Sequence, residues 1–124
     1  EGVVSYTEDR KGKREYYKSE AGKTKLPYVL LVNGGTASAS EILTGAVKDY
    51  KAGKIVGTTT YGKGIIQSVE QLSNGDAVKL TIMQYFSPDG NVIHKVGIKP
   101  DFEVEALADD TTDRQLEKAI ELLQ

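Results

Sequence analysis

Two residues in this chain are of types that can open an acyl bond when held side by side. Ser38 lies in TASASEI (Thr36 to Ile42), and Lys63 lies in GTTTYGKG (Gly57 to Gly64). A serine hydroxyl becomes a useful nucleophile when a neighbouring base takes its proton, and a lysine is such a base only when its amine is uncharged. Burial away from water favours that uncharged form. The flanking Gly62 and Gly64 would let other backbone approach closely and shut water out. Gln67, four residues on, could aim the amine, or it could face solvent as an ordinary strand residue. Ser38 sits where an apolar run turns into a helix, so free N–H groups and the positive end of the helix dipole would favour an oxyanion there. Each residue also has an ordinary reading. Ser38-Ala-Ser-Glu41 spells a capping box, and a lysine between glycines is commonly just exposed. Spacing leaves these alternatives open.

Lys63 raises a third possibility. Gly57-x-x-x-x-Gly62-Lys63 follows a phosphate-cradling loop as far as the lysine. That motif then needs Ser or Thr for magnesium and a helix facing the phosphates. Gly64 stands there instead. The following IIQSVEQL carries β-branched Ile65, Ile66 and Val69 and shows no helical face, so nucleotide binding is disfavoured.

The elements that must position these residues can be read from periodicity. GVVSYT (Gly2 to Thr7) alternates as a strand, and REYYKS after a charged turn could pair with it. YVLLVN (Tyr28 to Asn33) is an unbroken apolar run, which predicts a strand buried on both faces within a parallel sheet. Ile42, Ala46, Val47 and Tyr50 recur at helical spacing from Ser38 onward, and KIVGTTT reads as a second parallel strand. SNGD separates VEQL from AVKLTIMQYF as a hairpin turn, with Val78, Leu80 and Ile82 on one face; SPDG is a further turn. The chain closes with TTDRQLEKAIELL, a helix predicted behind a Thr112-x-x-Gln115 capping box with Leu116, Ile120 and Leu123 as its apolar stripe. The fold class is α/β with a mixed sheet and a strand-helix-strand unit.

Composition narrows the chemistry. With 124 residues the chain is one domain or part of one, long enough for a real core. No apolar run approaches the roughly 20 residues that cross a bilayer. The absence of cysteine removes disulfides, thiolate metal sites and a thiol nucleophile, and the single His94 rules out an all-histidine metal site. His94 is given no catalytic role, and no metal or organic cofactor is implied. Residues 9 to 25 carry seven Lys/Arg beside Tyr16 and Tyr17, whereas eight acidic residues follow from Asp101 onward. The basic stretch could bind nucleic acid, but Gly12 and Gly22 fit the solvated tip of a hairpin better. The chain starts at Glu1 without a signal peptide, as an excised or processed piece would.

The stretch VLLVNGGTASASEILTGAVKDYKAGKIVGTTTYGKGIIQ resembles the signature of the carboxy-terminal processing proteases, also called tail-specific proteases. The likeness runs over residues 26 to 124 and includes LSNGDAVKLTIMQYFSPDGNVIHKVGIKPDFEV; Thr36 stands where the family has serine. The resemblance implies a Clp protease/crotonase-like core and a serine endopeptidase acting near the C-terminus of polypeptide substrates. It puts the nucleophile on Ser38, the general base on Lys63 and the orienting glutamine on Gln67, with the Ala39 N–H in the oxyanion hole. Glu41 and Asp49 fall on acidic positions that would support the site's geometry. Residues 1–124 would then be the C-terminal portion of the core domain, without the upstream oxyanion strand and the PDZ domain of the family. The parent would be bacterial and extracytoplasmic, in the periplasm or at the outer face of the membrane, and could be membrane-anchored. Two alternatives stand beside this reading: a catalytically silent fragment or assembly module, including a homo-oligomer or strand-exchanged dimer, and a nucleic-acid binder using residues 9 to 25.

Overall fold

The alternating stretches near the N-terminus form β1 (Val3–Asp9) and β2 (Arg14–Lys18), paired antiparallel with Tyr6 opposite Tyr16. The computed structural model describes residues 2–22, 24–108 and 111–124. Glu1, Lys23 of the basic stretch, and Asp109 and Asp110 of the acidic part lie outside the described residues. The basic stretch begins as a hairpin tip, as expected. There Asp9 Oδ1 accepts from the N–H groups of Lys13 at 2.9 Å and Lys11 at 2.8 Å. Those two bonds hold the exposed Asp9 carboxyl below its ordinary range, with the Lys13 contact as the larger cause.

The apolar run gives β3 (Val29–Val32), followed by α1 (Ala39–Tyr50) and β4 (Lys54–Gly57), with β3 and β4 parallel. This is the predicted strand-helix-strand unit. The expectation that β3 is buried on both faces is not met, since Leu31 is 44% exposed. The reason is topological. β3 is the outer strand of a three-stranded parallel sheet ordered β3-β4-β7, where β7 (Phe102–Glu103) is a two-residue strand too short to announce itself in sequence.

SNGD makes the predicted hairpin between β5 (Ile65–Gln71) and β6 (Ala77–Phe86). With β1 and β2 these form a four-stranded antiparallel sheet ordered β2-β1-β6-β5. The mixed α/β character therefore resides in two sheets, one parallel and one antiparallel. Two clusters of buried side chains form the core. One joins Val32, Val47 and Ile55; the other joins Tyr85, Ile93 and Ile98, with Ile42 and Ile66 packed against it. Each fully buried aliphatic side chain stabilises the fold by roughly 1.5–3 kcal/mol.

The last helix, α2 (Arg114–Glu121), starts one residue later than its predicted box. Asp113 is its cap, accepting from Leu116 N–H at 3.0 Å, and Gln115 instead donates to the Val104 carbonyl at 2.8 Å. An aspartate at this position both fills the cap and meets the positive helix end, so it displaces threonine.

Candidate active site

The connection from β4 to β5 carries Lys63, and α1 begins at Ser38; one carboxyl group ties the two segments together. Glu41 is fully buried. Its Oε1 accepts from Thr60 Oγ1 at 2.6 Å and from Gly62 N–H at 2.7 Å. Its Oε2 accepts from Lys63 N–H at 2.8 Å and from Ser38 N–H at 3.0 Å. A buried carboxyl surrounded by four donors is satisfied, and it fixes the backbone of both candidate residues. The capping-box spelling thus marked a residue that does more than end a helix.

Ser38 departs from an ordinary cap in its backbone. Its φ is 58° and ψ is −122°, outside the wells a side-chain-bearing residue normally occupies. A normal cap residue sits in the extended region. The Glu41 N–H donates at 2.8 Å to the Ser38 carbonyl. Such a conformation costs of order 1–3 kcal/mol and clusters at functional positions. A sharp strand-to-helix turn of this kind is how some hydrolases present a nucleophilic serine. Among the described residues the Ala39 N–H has no hydrogen-bond acceptor.

Ser38, Ala39, Lys63 and Gln67 line a single cavity of about 550 Å³, together with Ile42, Ile65, Ile66, Lys79 and Tyr85. Most of the exposed wall surface is apolar. Gln67 follows a bulge in the β5–β6 pairing, and its amide donates to Thr81 Oγ1 at 3.3 Å. Lys63 is exposed. The expectation that burial surrounds this lysine is therefore not met within these 124 residues. Its segment leads into β5, the outermost strand of its sheet, and among the described residues no strand pairs with β5 on its far side. Asp49 stands apart from the cavity. It accepts from Asp89 N–H at 2.9 Å and from Asn91 Nδ2 at 3.1 Å, fastening the SPDG turn to the far end of α1.

The lysine segment is held from three more sides. Tyr61 N–H donates to the Thr36 carbonyl at 2.9 Å, Lys95 N–H to the Gly62 carbonyl at 2.8 Å, and Tyr85 N–H to the Gly64 carbonyl at 3.0 Å. Gly64 is required where it is, because a Cβ there would lie 2.6 Å from the His94 nitrogen. A strand, not a helix, follows it, which removes the phosphate-loop reading.

Two residues of this arrangement escaped the sequence reading. Thr60 donates to Glu41 and accepts from Ile98 N–H at 2.8 Å. Tyr85 is 3% exposed, its hydroxyl donates to the Lys63 carbonyl, and it lines the same cavity as Ser38. Burial pushes the phenol above its ordinary value, the nearby Ser38 side chain opposes this, and the Glu41 charge adds to it. Neither residue has a spacing signal, since each meets the site only through tertiary packing.

This fold has counterparts among proteases. A solved photosystem II D1 C-terminal processing protease superposes with a TM-score of 0.80 at 40% identity, over 99% of this chain and 32% of that one. The α/β core is thus the Clp-protease-like fold expected from the sequence. The model of Peptidase family S41 matches residues 1–104, and the chain belongs to that family. The carboxyl-terminal-processing protease of Synechocystis sp. is 42% identical over 130 residues, covering 99% of this chain and 30% of the relative. The chloroplastic C-terminal processing peptidase of Tetradesmus obliquus is 46% identical over 99 residues, covering 78% of this chain and 21% of the relative. The chain therefore spans less than a third of the length of these curated relatives.

Proposed function

We propose that these 124 residues are the C-terminal portion of the core domain of a serine endopeptidase that cuts polypeptides near their C-termini. The observation that carries this reading is the strained Ser38 at the start of α1, facing a cavity that Lys63 also lines. Ser38 Oγ attacks the scissile carbonyl carbon while its proton passes to the unprotonated Lys63 amine. The Ala39 N–H donates to the oxyanion, backed by the helix dipole. The C–N bond then breaks as Lys63 returns the proton to the leaving amine, leaving an ester on Ser38. Water, deprotonated by Lys63, hydrolyses that ester and restores the serine. Gln67, on the same cavity wall, orients the amine. The mostly apolar wall surface favours an apolar substrate residue beside the cut.

In the full-length protein, Ser38→Ala and Lys63→Ala should each lower cleavage of an unstructured peptide with an apolar tail by at least about 10³-fold. Mass spectrometry of the products and circular dichroism of each variant are the measurements. Near-normal turnover by folded Lys63→Ala would overturn the mechanism. For location we favour the periplasm or the outer face of the membrane, following the family resemblance, and cell fractionation decides it.

A second reading applies to the chain by itself. Exposure of Lys63 supports a catalytically silent state until further chain covers the amine. Serine-dependent fragments released by the isolated 124-residue chain would count against it.

A further inference from the structure

Asparagine is followed by glycine twice in this chain, at Asn33-Gly34 and at Asn74-Gly75. Such a pair can modify itself, because glycine has no Cβ to shield its own nitrogen from the preceding side chain. The structure treats the two pairs differently. At Asn74 the reacting groups are all engaged. The Gly75 N–H donates to the Leu72 carbonyl at 3.1 Å, the Asn74 amide donates to Asp76 Oδ2 at 2.7 Å, and its Oδ1 accepts from Asp76 N–H at 3.2 Å. Asn33 and Gly34 are exposed, and among the described residues neither the Gly34 N–H nor the Asn33 Nδ2 has an acceptor. Asn33 Oδ1 accepts from Gly35 N–H at 2.9 Å. That bond places a donor on the oxygen that turns negative when the Asn33 Cγ is attacked. We propose that Asn33 is a site of spontaneous deamidation and isoaspartate formation, and that the change disables the peptidase site.

The Gly34 nitrogen attacks the Asn33 Cγ and closes a cyclic succinimide, while its hydrogen and the Asn33 side-chain NH2 leave together as ammonia. Water then opens the ring. Entry at Cγ gives aspartate. Entry at the Asn33 main-chain carbonyl gives isoaspartate, in which the chain runs through Cβ and Cγ and the former main-chain carbonyl becomes a free carboxylate. The second product reaches the site, a consequence that rests on the serine–lysine reading above. The Asn33 main-chain carbonyl accepts from Thr36 N–H at 2.9 Å, and the Asn33 N–H donates to Thr36 Oγ1 at 3.0 Å. The Thr36 carbonyl in turn accepts from Tyr61 N–H at 2.9 Å. Thr36 thus ties the turn before Ser38 to the segment that presents Lys63. An extra backbone carbon at position 33 removes the carbonyl that Thr36 N–H uses and lengthens the connection from β3 to α1, so both candidate residues lose their register.

The test ages the full-length protein, in its parent and Ser38→Ala forms, in mildly alkaline buffer at physiological temperature. Peptide mapping by mass spectrometry reads each asparagine, and an isoaspartyl methyltransferase probes for the rearranged linkage. Asn33 should convert at least about 10-fold faster than Asn74, whose nucleophile must first leave a hydrogen bond. Gly34→Ala is the second variant. The φ of Gly34 lies outside the left-handed region and a Cβ there meets nothing within 4 Å, so the fold accepts it. The added methyl crowds the attacking nitrogen, and conversion at position 33 should fall about 10-fold or more, with cleavage before ageing unchanged. Cleavage of an unstructured apolar-tailed peptide by the parent should fall in proportion to its isoaspartate at position 33, whereas Gly34→Ala should keep its activity through the same ageing. Equal conversion at the two asparagines, faster conversion at Asn74, or undiminished conversion in Gly34→Ala overturns the assignment. Full kcat in the isoaspartate-containing fraction, separated by ion exchange, overturns the consequence for the site. Ser38→Ala should convert at the parent rate, since no catalytic group takes part, and slower conversion there would show that the reaction is not spontaneous. Peptide cleavage surviving in Ser38→Ala would instead remove the serine–lysine reading and leave the modification of Asn33 standing.

Discussion

Glu41 has two oxygens for four donors, and each pair of donors comes from a different combination of segments: Thr60 with Gly62, and Lys63 with Ser38. Replacing one oxygen by an amide nitrogen leaves one of those pairs facing another donor, whichever way the amide turns. Glu41→Gln should therefore destabilise the protein by about 2–5 kcal/mol, two buried donors losing their acceptor. It should also slow cleavage, because Ser38 and Lys63 lose their common anchor. Urea unfolding measures the first, and a loss under about 0.5 kcal/mol would show that the network does not hold the segments. Part of this was legible. The Ser38-x-x-Glu41 spelling located the carboxyl and its bond to Ser38, whereas Thr60, Gly62 and Lys63 lie 19 to 22 residues away and no local pattern links them to it. Tyr85 has a pH consequence at the same scale. Its folded value is raised above 10.0. The folded protein therefore keeps the proton after the unfolded chain has lost it, and this contribution to stability is lost as pH rises through the folded value. Tyr85→Phe should show a shallower fall of the urea midpoint above pH 10 than the parent, and parallel curves would argue against a desolvated phenol.

The β4–β5 connection decides whether the chemistry can be assembled, and Gly64 is its tightest point. A methyl group there meets backbone, which cannot swing aside as a flexible side chain would. Gly64→Ala should cost about 1–3 kcal/mol from overpacking and reduce cleavage in whatever fraction stays folded. Full stability in that variant, measured by urea unfolding, would mean that the connection can slide. Elements with a strong local signature were readable before any coordinates: the helix from its 3.6-residue stripe, the β5–β6 hairpin from SNGD, and the parallel pair from two apolar runs. Errors arose where position in the sheet overrides composition. YVLLVN has the residues of a central strand but lies at an edge, and β7 is a strand only because β4 needs a partner at Val56 and Gly57. The Thr112 box lost to Asp113 because two adjacent residues could both cap and the acid does so better.

At the scale of the whole molecule, the sheet and helix faces that carry apolar residues are not all covered. Val78, Leu80 and Ile82 on β6 are exposed, as are Leu116, Ile120 and Leu123 on and just after α2. Stripes of this kind on a folded surface mark places that pack against something else. The same holds at the site, where Lys63 is open to water although its proposed task requires an uncharged amine. The Synechocystis relative is more than three times as long as this chain. The isolated 124-residue chain should accordingly differ from the full-length protein in two measurable ways. Its sedimentation-average mass should rise with concentration, as exposed stripes and the free edge of β5 pair between copies. Its Ser38 should react with a fluorophosphonate at least about 100-fold more slowly than in the full-length protein, the amine remaining open to water. A strictly monomeric chain would show that the stripes are tolerated in water. Equal labelling rates would place the whole environment that sets the reactivity of Ser38 within these 124 residues.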